Sequence, residues 1–313
     1  IYSSMNISDS LIHKLQCPKT KSRLTLKNGN FVSDSCNMYP IVDNVPILIN
    51  NDNSLFSIDQ YKTREISNKQ TSRVKSIFHK ILPEIGNNLV AEENFRKISN
   101  TLPNNSKILI IGGASKGEGM KEIYCHDKYD IVVSDILFSE DVNLVSDAHD
   151  IPFIDETFDL VVVQAVLEHV LDPTRCVKEI YRVLKNDAIV YAEMPFMQQV
   201  HMREYDFTRY TYLGFRRLFR RFYHTESGIC CGPGMALAWS YSYFLQSLSS
   251  NLFLRKFLLI FAHFTSFYLK YLDVFLIKKA DSYLSASGFY FLGRKSCNTL
   301  SDKELLKLYR GGD

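Results

Sequence analysis

Lys107-Ile108-Leu109-Ile110-Ile111-Gly112-Gly113-Ala114-Ser115-Lys116-Gly117-Glu118-Gly119 is the stretch from which the fold is read. Its unbroken apolar run predicts a strand buried on both faces, and the glycines after it predict a turn where backbone approaches a ligand closely. Three more apolar runs follow: Ile131-Val132-Val133-Ser134-Asp135, Phe158-Asp159-Leu160-Val161-Val162-Val163 and Ala188-Ile189-Val190-Tyr191-Ala192-Glu193. Between the last two, Cys176, Val177, Ile180, Val183 and Leu184 recur at helical spacing from Pro173 onward. Strands alternating with helices make an α/β unit, a parallel sheet with helices on both faces.

Gly112, Gly113 and Gly117, with Ala114 between them and Gly119 beyond, form a turn that aims a helix N-terminus at its ligand. Asp135 ends the second strand about twenty positions on, where a carboxylate accepts hydrogen bonds from ribose hydroxyls; Ile136 sits beside it. Each feature alone is weak. Their order (strand, loop, helix, strand, acid) points to a nucleotide-type cofactor.

Four later runs are more specific: Ser146-Asp147-Ala148-His149-Asp150-Ile151-Pro152-Phe153, Glu156 to Val162, Val166-Leu167-Glu168-His169-Val170-Leu171-Asp172-Pro173, and Glu179 to Lys185. In that order they resemble the class I S-adenosylmethionine-dependent methyltransferases, over roughly Lys107 to Phe222. The resemblance implies a Rossmann-like sheet and S-adenosylmethionine as cofactor. It also implies that Asp147 with Ala148 meets the adenine, and that Gln164 with Ala165 lines the methionine end. The first motif departs from the family. The acid two residues before its first glycine is replaced by Ile110, the second glycine by Ala114, and Ser115-Lys116 precede Gly117.

The acceptor side is read from Met194 to Thr211, which follows the last of these strands and so faces the ligand end of the sheet. His201, Asp206 and Arg209 fall within this run. O-methylation needs a base for the hydroxyl proton, and histidine suits that near neutral pH. Asp206 either orients the imidazole or takes the proton itself, and Arg209 suits a carboxylate or phosphate. The plain alternative is that Asp206 and Arg209 pair with each other and pin the loop. Glu168 and His169 read as structural. The run resembles a subgroup of methyltransferases found among bacterial polysaccharide and glycolipid biosynthesis proteins. That implies a sugar, glycan or lipid-linked glycan acceptor.

Residues 1–52 form short apolar runs around turns such as Asn28-Gly29, a hairpin signal. They resemble the zinc-ribbon-like domains that activate methyltransferases in other systems. Only Cys17 and Cys36 of a ligand set remain, and Thr20 fills the first knuckle's second position, so the expectation is a domain without metal. Residues 53–105 read as a helical connecting segment, 106–231 as the methyltransferase core, 232–282 as an aromatic helical insertion and 283–313 as a final strand and tail. Arg216, Arg217, Arg220 and Arg221 alternate with apolar residues and read as a solvated face, or else as an anchor for acidic headgroups.

A net charge of +3, from 37 basic and 34 acidic residues, gives no case for nucleic acid as a partner. Seven irregularly spaced cysteines and no secretory signal read as reduced thiols in a cytoplasmic protein. Ser227 to Leu254 lacks the apolar density of a membrane span after Glu226, although peripheral contact with a membrane through the insertion and a homodimer both stay open. The leading expectation is O-methylation of a glycan or glycolipid precursor with His201 or Asp206 as base. The rivals are a non-catalytic scaffold that kept the fold, and a methyltransferase for RNA or protein.

Overall fold

The computed structural model describes residues 5–63, 82–124 and 128–312. Its centre is the predicted parallel sheet. Strands β1 (Leu24–Lys27), β2 (Asn30–Ser33), β3 (Met38–Val42), β4 (Val45–Leu48), β5 (Lys107–Ile111), β6 (Asp130–Asp135), β7 (Leu144–Ser146), β8 (Phe158–Gln164), β9 (Leu184–Pro195), β10 (Phe222–Cys231) and β11 (Gly288–Lys295) join in one sheet. Their order is β1-β2-β3-β4-β7-β6-β5-β8-β9-β11-β10. From β4 to β9 every pairing is parallel, and both flanks are antiparallel.

The pleat divides the core in two. Leu109, Ile111, Val161 and Val163 point to one face, with Cys176, Val177, Ile180 and Val183 of the helix Pro173–Val183 packed over them. Ile108, Ile110, Leu160 and Val162 point to the other, under Phe95 and Ile98 of the helix Ala91–Thr101. The first helix starts on a side-chain cap, Asp172 accepting the Arg175 N–H, and ahead of the second Asn88 Oδ1 accepts the N–H groups of Val90 and Ala91.

The N-terminal part differs from the expected separate zinc-ribbon-like domain. Its antiparallel meander runs directly into the central sheet, because β4 pairs in parallel with β7 through Ile47 and Val145. Ile47, Leu48 and Ile49 are buried in the two main core layers or between them. Cys17 is buried with its Sγ 3.0 Å from the Tyr39 hydroxyl, whereas Cys36 is exposed. The middle of the connecting segment lies outside the described residues; its ends carry the helix Ile58–Lys62 and the helix Ala91–Thr101.

At the other end, β11 inserts between β9 and β10, so the insertion does join the two antiparallel strands as expected. It consists of three helices, α1 (Pro233–Ser247), α2 (Leu252–Ser266) and α3 (Leu269–Leu276). The solvated arginine face holds at Arg217 and Arg221, both exposed, and is corrected at Arg216. Arg216 is buried, its guanidinium 4.4 Å over the ring of Phe291, and Arg221 lies over Tyr181. Arg217 and Arg220 pair with Asp302 on the surface. A planar guanidinium stacks on aromatic faces, so the aromatic neighbours draw Arg216 inward, while Arg221 stacks on Tyr181 at the surface.

Candidate active site

The carboxyl ends of β5, β6 and β8 meet at a cleft, as parallel sheets arrange ligands. After β5 the chain turns at Gly112, whose φ of +80° is open to glycine at little cost. A Cβ here would overlap Val166. The Gly112 and Gly113 N–H groups both turn back to the Ser134 carbonyl, and Ala114 donates to Asp135 Oδ2 at 2.8 Å. The altered glycine loop is therefore held down on β6, with Asp135 as its anchor.

Asp135 also takes the Leu137 N–H at 2.8 Å. Burial raises its pKa, against the lowering effect of these amides. Each oxygen then has one engaged lone pair and one left for a hydroxyl donor. Ile136 turns its carbonyl to the Tyr61 hydroxyl. Asp147 takes His149 N and Nδ1 on one oxygen and the Ser54 hydroxyl on the other. Burial opposes its ionisation, but the bonds from His149 and Ser54 outweigh that and hold its pKa below the ordinary carboxylate range. Asp135, Ile136, Asp147, Ala148 and His169 line one small pocket that also touches Gly112. Phe56 stacks on Tyr205, 5.7 Å between centroids, and brings the N-terminal segment against the acceptor loop.

A larger cleft of about 520 Å³ lies on the other side of Gly112 and is bounded by Gly113, Gly117, Gln164, Ala165 and Glu193. Gln164 passes over the bare Cα of Gly117, where any side chain would collide with its amide. Its Nε2 donates to Glu118 O and to Glu193 Oε2, while its Oε1 is buried without a partner. Glu193, fully enclosed, also takes the Tyr191 hydroxyl and Asn88 Nδ2, and burial raises its pKa. Ala165 sits at φ +53°, a strained left-handed turn that redirects the chain at the end of β8. This network of Glu193, Tyr191 and Asn88 was not anticipated. Its signal is an acid in the middle of an apolar strand, Ala192-Glu193-Met194, which has to find buried partners.

The acceptor loop brings its three predicted residues together. Arg209 meets Asp206 through both guanidinium nitrogens, and its other N–H groups go to the carbonyls of Gln198, Gln199 and Thr208. All five donors are thus used within the loop. Asp206 also accepts the His201 backbone N–H at 2.9 Å. Burial works against its charge, but the Arg209 and His201 bonds prevail and carry its pKa down to about 2.

His201 faces two residues that were expected to be structural. Its ring packs edge-on against His169, 4.8 Å between centroids, and its Nε2 is 3.9 Å from Glu168 Oε1. His169 donates Nδ1–H to the Tyr205 carbonyl, which leaves its Nε2 lone pair turned to the same Glu168 oxygen at 3.7 Å. Glu168 is completely buried, neither of its oxygens has a hydrogen-bond partner, and burial pushes its pKa up to about 8. Among the described residues these three are the group whose donor atoms all lie close enough, within 4.8 Å, to hold a metal ion.

Residues 122–192, from the helix after the glycine loop to the middle of β9, match the family model described as a methyltransferase domain. The chain carries a methyltransferase domain. That match supports an S-adenosylmethionine-dependent methyltransferase, and the parallel sheet with helices on both faces is Rossmann-like. The donor set of the site fits this cofactor. Asp135 keeps acceptor positions free at the end of β6, Asp147 and Ala148 line the same small pocket, and Gln164 Oε1 is a buried acceptor without a partner beside Gly117.

Several solved structures are similar to the chain at a distance. The chain is similar to phosphoethanolamine N-methyltransferase 2 of Haemonchus contortus, solved with S-adenosyl-L-methionine, at 14% identity and TM-score 0.42 over 66% of this chain and 53% of that one. It is similar to a SAM-dependent methyltransferase from Methanosarcina mazei at 16% identity and TM-score 0.37, covering 64% and 98%. The cyclase SpnF is similar at 14% identity and TM-score 0.41, covering 66% and 81%. No curated protein sequence matches the chain.

Proposed function

We propose that the methyltransferase domain O-methylates a hydroxyl of a glycan or glycolipid precursor, with His201 as the base. The single observation that carries the base is the division of labour in the acceptor loop. Asp206, with its pKa near 2 and Arg209 on both oxygens, is a poor proton acceptor at neutral pH. His201 Nδ1 lies 3.3 Å from the Gln199 carbonyl and 3.4 Å from Asp206 Oδ2, two acceptors that favour the proton on this nitrogen against the Arg209 donor at 3.5 Å and leave Nε2 its lone pair. Asp206 and Arg209 act as positioning residues.

S-adenosylmethionine supplies an electrophilic methyl carbon on a sulfonium, whose sulfur keeps the bond electrons. His201 Nε2 receives the hydroxyl proton as the acceptor oxygen forms its new bond to carbon. Glu168, protonated at neutral pH behind the two imidazoles, adds no negative charge where the acceptor enters. Positioning supplies most of the remaining rate. The sugar class rests on the resemblance of the Pro195-to-Thr211 run.

The test is single-turnover transfer of a labelled methyl group to lipid-linked oligosaccharide and to the released glycan. His201→Ala is expected to slow transfer by about 10²- to 10⁴-fold with the calorimetric Kd for S-adenosylmethionine unchanged. Full activity in that variant removes the base, and no transfer to either acceptor by the unaltered chain removes the substrate class.

A further inference from the structure

The insertion leaves an apolar surface that the protein itself does not cover. Of the fifteen residues of α2 only Ala262 and Ser266 are buried, and of α3 only Asp273. Phe253 is 86% exposed, Leu252 71% and Phe275 70%, and Phe244, Leu248, Phe257 and Tyr271 stand out beside them. Such a continuous exposed patch on a folded chain marks a partner.

Charge selects the partner. Between Pro233 and Lys279 the basic residues are Arg255, Lys256, Lys270, Lys278 and Lys279, and the one acid is Asp273. Asp273 is buried and spends its oxygens on the N–H groups of Gly234 and Met235, where it ties α3 to the start of α1. The outer side of the hairpin is therefore apolar and positive with no exposed acid. A two-fold interface with a second copy brings the same surface against itself, so five like charges would be concentrated there. A leaflet with anionic headgroups complements both properties at once.

We infer that α2 and α3 lie in the headgroup region of an anionic bilayer and dock this enzyme peripherally. Together α2 and α3 have the length and composition of a span, but the bend between them opposes it. The uncharged run between Lys256 and Lys270 is only residues 257–269, and α2 and α3 diverge by 44° within it, at the break between Ser266 and Leu269. No single helix among the described residues is long and apolar enough to cross a membrane, and a span needs about 20 apolar residues. His263 further ties α2 to the body through the Pro83 carbonyl at 2.9 Å. The same hairpin walls the larger cleft with Met235, Trp239 and His263, so docking sets the cleft beside the lipid surface.

The test is co-sedimentation of the full chain with phosphatidylglycerol vesicles and with phosphatidylcholine vesicles. Binding to the anionic vesicles is expected to exceed that to the neutral ones at least tenfold and to weaken with salt. Phe253→Ser with Phe257→Ser and Phe275→Ser is expected to abolish it, and Arg255→Gln with Lys256→Gln to weaken it several-fold. These positions are exposed, so the melting temperature and S-adenosylmethionine affinity are expected to stay as they were, whatever the acceptor. No binding to anionic vesicles, or binding that survives the triple substitution, overturns the inference. So does a dimer in ultracentrifugation that the triple substitution dissociates while vesicles bind neither form.

Discussion

Arg209 holds Asp206 by both carboxylate oxygens, and the backbone N–H of His201 hangs on the same carboxylate. One ion pair thus fixes the approach of the proposed base without taking part in proton transfer. Because the Asp206 carboxylate is almost wholly enclosed, breaking the pair uncovers a charge as well as loosening a loop.

Asp206→Asn is expected to destabilise the protein by roughly 3 kcal/mol at neutral pH. The sign of the pH effect follows from the depressed pKa of about 2. The contribution is complete above the unfolded carboxylate pKa, near 4, and is lost as the pH falls through about 2. Urea melts of both proteins from pH 7 to pH 2 should therefore converge toward the acid end. A gap that stays constant would place the effect elsewhere than in this carboxylate.

Glu168 predicts the opposite trend. Its pKa of about 8 lies above the unfolded value, so the folded state binds the proton more tightly. Its stabilising effect is present below about pH 4 and drains away as the pH rises to 8. Glu168→Gln, which copies the neutral form, should gain on the unaltered protein over that range by several kcal/mol, on the order of 3 to 5. Denaturant midpoints at pH 5, 7 and 8.5 check it; parallel curves would mean that Glu168 is ionised in the folded protein.

The protonated state of Glu168 also predicts how the Glu168, His169 and His201 cluster responds to metal removal. A carboxyl that retains its proton between two imidazole lone pairs does not need a cation. After dialysis against a chelator, methyl transfer is expected to continue at the same rate. Loss of transfer, restored by a divalent ion, would move these three residues from proton transfer to metal binding.

Asp135 anchors the glycine loop, and in the proposed reading it also accepts from the cofactor's ribose hydroxyls. Asp135→Ala should therefore weaken S-adenosylmethionine by about 10- to 100-fold in calorimetry, the effect of losing hydrogen bonds to a charged group. An unchanged Kd would show that the cofactor bypasses this strand end.

Ile47 tests whether the N-terminal meander belongs to the main core. It is fully buried on β4, opposite Val145 of β7. Ile47→Ala should cost about 2 to 5 kcal/mol, and the whole chain should still melt in one transition. A separate early transition confined to the N-terminal residues would instead describe an independent domain.

Strands β5, β6, β8 and β9 and the helix Pro173–Val183 were legible because two-sided burial and helical periodicity leave direct marks on a chain. The order of the motifs was legible as well, and it places Asp135 and Gln164 at the ends of β6 and β8 and Asp147 just after β7. By itself the sequence determined the α/β sheet, the methyltransferase domain within it, and the insertion between the last two strands. Tertiary structure alone decided that residues 24–48 extend this sheet, since pairing between β4 and β7 spans almost a hundred positions and no local pattern records it. It alone made Glu168 the buried neighbour of His201, turned Arg216 inward, and committed Asp206 to Arg209. Each of these depends on which polar groups share a buried space. A side chain's chemistry is written in the sequence, but its protonation and its partners depend on the burial and the neighbours that folding gives it.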